Sequence, residues 1–150
     1  MPSDSFETNS GNARVLVADP ESTAAGALAA LLRQKMVDVD VASSAAEALR
    51  LLSRTAYEVA VMDLAILESA GSEMAIHLNS LPQNARPVVL VTTESGRRPD
   101  LDPDLVQVVI RKPIRTGELA EMIRACIDNG PRARGGSIEA RRPALDLQRD

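Results

Sequence analysis

The chain has 150 residues, 45% of them apolar but only 1% aromatic, and a formal net charge of -4. With Phe6 and Tyr57 as its whole aromatic content, it cannot offer a base-stacking surface, and its acidity disfavours general affinity for nucleic acid or anionic membrane. No apolar run is long enough to span a bilayer, the polar opening "MPSDSFETNSGN" is no signal peptide, and a lone Cys126 fits a reducing, cytoplasmic location.

Residues 1–12 are rich in Ser, Asn and Asp and read as a disordered tail. From residue 13 short apolar runs begin to alternate with helical patterns. "ARVLVA" (13–18) reads as a strand, followed by a helix over 21–35. In "DPE" the sequence suggests a helix start, with Asp19 as the cap, Pro20 at the first position and Glu21 complementing the helix dipole. "VDVDVA" (37–42) alternates strictly, as an edge strand does, and a helix is expected over 44–54. "YEVAVMD" (57–63) is the third strand, and "SEMAIHLNSL" (72–81) carries the next helical spacing. "RPVVLVT" (86–92) is continuously apolar and central in character, "VQVVI" (106–110) is the fifth strand, and the last helix covers 116–128. Between the last two strands, "TESGRRPDLDPD" lacks any useful amphipathic period, so that crossover is expected to be a loop or a single turn, mobile over 94–104. Beyond Asn129-Gly130-Pro131, residues 130–150 read as a second disordered tail with its arginines diluted by acids.

Strand and helix in alternation imply one α/β domain over 13–129, with a five-stranded parallel sheet covered on both faces. Such sheets place ligands at the carboxyl ends of their strands. Asp19, Asp63, Thr92 and Lys112 each follow or end a strand and so converge on one edge. Taken singly, each has an ordinary structural role: a turn acid, a capping hydroxyl, a solvated lysine before Pro113.

As a set they resemble the receiver domain of two-component response regulators. The matching stretches are "VLVADPE", "VMDLAILESAG" with Gly71, "VLVTTE" and "IRKPI", in the family's order and spacing. The resemblance implies a flavodoxin-like, doubly wound sheet of order 2-1-3-4-5 with a short or missing fourth helix. It implies Asp63 as phosphoacceptor for a histidine kinase or phosphotransfer protein, with Thr92 and Lys112 contacting phosphoryl oxygens. It further implies magnesium held by Asp19, Asp63 and the backbone carbonyl of Ala65, and output by contact with another protein rather than by enzymatic activity.

Three departures mark the chain as atypical. Pro20 stands where the family's second acid usually serves as metal ligand, so magnesium is expected to bind weakly or not at all. Val109 replaces the family's aromatic switch residue, and Ile66-Leu67 replaces a common Met-Pro. These departures raise an alternative, a pseudo-receiver that binds its partner whatever the state of Asp63. Other chemistries fall away. A haloacid-dehalogenase-type phosphatase needs a second acid where Ala65 stands, and no glycine-rich phosphate cradle or Walker lysine is present. His77 has no neighbouring metal ligands in the sequence, and Cys126 between Ile123 and Ile127 reads as core.

Overall fold

All five predicted strands are present in the computed structural model, which describes residues 12–95 and 104–129. They are β1 (Arg14–Ala18), β2 (Asp38–Ala42), β3 (Val59–Asp63), β4 (Val88–Thr93) and β5 (Val108–Arg111). They form one sheet of order β2-β1-β3-β4-β5. Every pairing is parallel, in a register that sets Val17 beside both Val41 and Val61, and Asp63 beside Thr92. The fold is therefore the flavodoxin-like one, and β2, the strictly alternating run, lies at an edge.

Parallel strands need crossovers: α1 (Ser22–Gln34) links β1 to β2, α2 (Ala45–Arg54) links β2 to β3, α3 (Leu64–Ala70) and α4 (Ser72–Ser80) link β3 to β4, and α5 (Thr116–Asn129) follows β5. Successive side chains of a strand point to opposite faces, which divides the core in two. Val15, Val17, Val59, Val61, Val88 and Leu90 meet α1 and α5 on one face. Leu16, Ala18, Ala60, Met62, Val89 and Val91 meet α2, α3 and α4 on the other. The near absence of aromatics thus leaves an aliphatic core, and Cys126 is buried within it as expected.

Local signals explain several element ends. Ser44 caps α2 by accepting from the Glu47 N–H at 3.2 Å, while the Glu47 carboxylate accepts from the Ser43 N–H at 3.0 Å. Gly71 separates α3 from α4 at φ +62°, a backbone conformation that favours glycine. Met36 closes α1 at φ +66° without that freedom and lies exposed. On the edge strand, the Tyr57 hydroxyl donates to Asp40 at 2.7 Å, and Arg14 reaches Asp40 at 3.4 Å and Asp38 at 3.7 Å. Burial and then the bond to Asp40 raise the Tyr57 pKa well above the ordinary phenolic value.

Two expectations need correction. The sequence reading has no helix over 64–70, yet α3 starts directly after Asp63 because the Asp63 carboxylate caps it. The first helix starts at Ser22, with Glu21 rather than Asp19 in the cap position and no side-chain cap. Asp19 instead turns its Oδ1 to the Glu21 N–H at 2.8 Å, forming a tight turn that keeps Pro20 outside the helix. The tails and most of the 94–104 crossover, expected to be disordered or mobile, lie outside the described residues.

Candidate functional site

The carboxyl ends of the strands deliver the four predicted residues to one edge of the sheet. Asp19 directly follows β1 and its N–H donates to the Ala42 carbonyl at 3.0 Å, which ties it to the end of β2. Asp63 is the last residue of β3 and Thr92 its register partner on β4. Lys112 follows β5, and its N–H donates to the Thr93 carbonyl at 2.8 Å.

From there the Lys112 ammonium reaches back to both acids, donating to Asp63 Oδ2 at 2.6 Å and to Asp19 Oδ2 at 3.2 Å. Each carboxylate uses its other oxygen locally. Asp19 Oδ1 holds the Glu21 N–H, and Asp63 Oδ1 holds the Ala65 N–H, both at 2.8 Å. Both carboxyl groups are therefore oriented in advance, with their Oδ2 atoms turned toward one cation. The three side chains are 13–20% exposed, so the attraction is stronger than at an open surface yet still in reach of water. Burial acts to lower the Lys112 pKa, but the hydrogen bonds and charges of Asp63 and Asp19 outweigh it and hold the pKa above the ordinary lysine value. Lys112 is accordingly a permanent cation at neutral pH.

These groups open on a cleft of about 370 Å³. Its lining adds residues that the motif reading passed over: Thr93, Glu68 and Glu94. Thr93, buried like Thr92, binds the Ser95 N–H through its hydroxyl at 3.2 Å. The Thr92 side chain lies on the α1–α5 side and lines a neighbouring cavity together with Asp19 and Lys112. Two adjacent threonines at a strand end look alike in sequence, and only the pleat tells them apart. Glu68 lies on α3, whose seven residues are too few to show a helical period in the sequence.

The donor set bears on magnesium. Asp19 and Asp63 supply two carboxylate oxygens on one side, and one or two carboxylates with waters can hold this ion. Pro20 adds no ligand, and the two oxygens already share an ammonium. Ala65 sits in the first turn of α3, where a carbonyl runs along the helix axis into its own hydrogen-bond ladder. Among the described residues no group of three or more acidic, histidine or cysteine side chains is placed to hold a metal. The Asp19 and Asp63 carboxylates thus fit a magnesium ion. Val109, at the switch position, is half-buried and packs against the α2–α4 side of the core.

The family model for the response regulator receiver domain matches residues 15–124. Among solved structures, the chain is similar to a response regulator receiver domain protein from Clostridium thermocellum. Identity there is 25% and the TM-score 0.62, over 77% of this chain and 94% of that one. It is also similar to the response regulator TrrA from Thermotoga maritima in complex with Mg(2+)-BeF, at 23% identity and a TM-score of 0.62, over 76% and 98%. A CheY-like receiver domain protein from Methanospirillum hungatei gives 18% identity and a TM-score of 0.63, over 79% and 95%. The last two likenesses concern the fold alone. No curated protein matches the chain.

Proposed function

We propose that this chain, which belongs to the response regulator receiver family, accepts a phosphoryl group on Asp63 from a histidine kinase or phosphotransfer protein and acts by binding another protein. The observation that carries this reading is the Asp63 carboxylate, fixed through Oδ1 by the Ala65 N–H and presenting Oδ2 to Lys112 at 2.6 Å within an open cleft. Oδ2 attacks the phosphorus of a phosphohistidine: the O–P bond forms, the N–P bond breaks, and the imidazole leaves. Lys112 remains beside the new acyl phosphate and pairs with one of its oxygens, since phosphoryl transfer depends chiefly on positioning and charge. Thr92 is the hydroxyl that turns to another oxygen. Asp19 and Asp63 would hold magnesium, which when bound offsets the negative charge of the transferring group.

Pro20, Lys112 shared between both acids, and Val109 in place of an aromatic ring favour a second reading, a protein-binding pseudo-receiver. A phosphate changes a conformational equilibrium only by its differential affinity for the two states, and these features reduce that difference. Complementation by Asp63→Asn separates the two. Under the phosphoacceptor reading a folded Asp63→Asn protein fails to restore function in cells. Restoration to near wild-type level identifies the pseudo-receiver. Under either reading we propose that the protein acts in the cytoplasm. Among the described residues no helix is long and apolar enough to cross a membrane.

A further inference from the structure

Asp63 and Thr92 are register partners, yet Asp63 lines the open cleft and Thr92 the neighbouring cavity. The cap that Asp63 gives to α3 turns its carboxyl group to the side of the sheet where α3 packs. The pleat sends the Thr93 side chain to that same side, with Val89 and Val91, whereas Thr92 follows Val88 and Leu90 to the other. The hydroxyls that line the Asp63 cleft are therefore those of Thr93 and Ser95.

Thr93 ties two parts of this cleft together. It ends β4 and is only 2% exposed, so its position is set by the sheet. Its carbonyl accepts from the Lys112 N–H at 2.8 Å, which anchors the residue that carries the cation. Its hydroxyl accepts from the Ser95 N–H at 3.2 Å and shares a hydrogen bond with the Ser95 hydroxyl at 3.2 Å. Ser95 itself is exposed, so a buried threonine holds an accessible hydroxyl at the mouth of the cleft. A hydroxyl hydrogen rotates to suit its partners, and a phosphoryl group is the stronger acceptor because its oxygens are charged. The phosphoryl group carries three terminal oxygens, of which Lys112 and Thr92 take two in the reading above.

We propose that Ser95 is a phosphoryl-binding residue of this site, its hydroxyl donating to an oxygen of the group on Asp63, and that Thr93 is the residue that positions it. This role rests on Asp63 as the phosphoacceptor, and the experiment separates the two. The probe is beryllofluoride with excess magnesium, a stand-in for the phosphoryl group, titrated into the full-length protein and followed by fluorine NMR, with circular dichroism reporting the fold. The parent chain is expected to bind it saturably, and Ser95→Ala and Thr93→Val each about tenfold more weakly, on the scale of a hydrogen bond to a charged group. Because the two residues act as a unit, the double variant is expected to bind about as weakly as either single one. Thr93→Ser keeps the hydroxyl and is expected to bind as the parent does, which separates positioning from packing. Ser95 is exposed, so Ser95→Ala tests the contact even where Thr93→Val disturbs the fold. Magnesium alone is expected to raise the melting temperature of parent and variants equally. With beryllofluoride bound to the parent, undiminished affinity in Ser95→Ala or in a folded Thr93→Val overturns the role of these hydroxyls and leaves the phosphoacceptor reading standing. Thr93→Ser as weak as Thr93→Val, or a magnesium response lost with the hydroxyls, does the same. A folded parent chain that takes no beryllofluoride at any magnesium concentration overturns both.

Discussion

Asp63 has a structural duty separable from its chemistry, and two substitutions divide them. Its Oδ1 caps α3 through the Ala65 N–H at 2.8 Å, and its Oδ2 accepts from the Lys112 ammonium at 2.6 Å. Asp63→Ala removes both contacts. Asp63→Asn keeps one oxygen, which can cap the helix or meet Lys112 but not both, because the amide nitrogen brings a donor against a donor. Both substitutions relieve the repulsion between Asp19 and Asp63 equally, so that effect cancels in the comparison. What remains is one retained hydrogen bond, worth about 1 kcal/mol on the scale of helix caps. With a urea dependence of about 1–3 kcal/mol/M, Asp63→Ala should unfold roughly 0.3–1 M earlier than Asp63→Asn, at an unchanged slope. Urea titration followed by far-ultraviolet circular dichroism measures this. An Asp63→Ala protein as stable as Asp63→Asn, or more so, would refute the assignment of Asp63 as the cap of α3.

Stability should fall in alkali through Tyr57 and Lys112 together. Both have folded-state pKa values above their ordinary ones, so their contributions are complete below about pH 10 and are lost as pH rises further. Because Tyr57 is the chain's one tyrosine, the tyrosinate absorbance band should appear only as circular dichroism reports unfolding, and ionisation near pH 10 in a native protein would contradict this. Met36→Gly should raise stability by about 0.5–1 kcal/mol, because it relieves a left-handed backbone at an exposed position, and a lower thermal midpoint would count against it. Pro20→Asp should strengthen magnesium binding, seen as a larger magnesium-dependent rise in melting temperature than in the parent protein; an unchanged response would show that Pro20 is not what weakens the site.

Much of this site could be read from the sequence because its residues lie at strand ends, and the strands declare themselves. Runs such as "VLVA" and "VVLV" are too apolar for anything but buried strands, and the alternation in "VDVDV" marks the edge. Asp19, Asp63 and Lys112 then fall together by topology alone. What escaped depends on contacts between neighbours rather than on pattern. The seven residues of α3 are too few to establish a period, and its cap is a residue whose motif drew attention to chemistry instead. Asp19 was expected to start a helix, but its carboxylate finds the Glu21 N–H first and shifts the start to Ser22. The separation of Thr92 from Thr93 depends on the pleat, which assigns alternate residues to opposite faces of the sheet.

The most direct test of the account is the reaction of Asp63 itself. The protein is incubated with a small-molecule phosphodonor and magnesium, its intact mass is followed over time, and Asp63→Asn is treated in parallel. The account predicts a gain of one phosphoryl group on the parent chain, removable by hydroxylamine as an acyl phosphate should be. It also predicts a demand for high magnesium, because Pro20 offers the ion no carboxylate, and no gain on Asp63→Asn. Equal modification of both proteins, or none on the folded parent chain at any magnesium concentration, would contradict Asp63 as the phosphoacceptor.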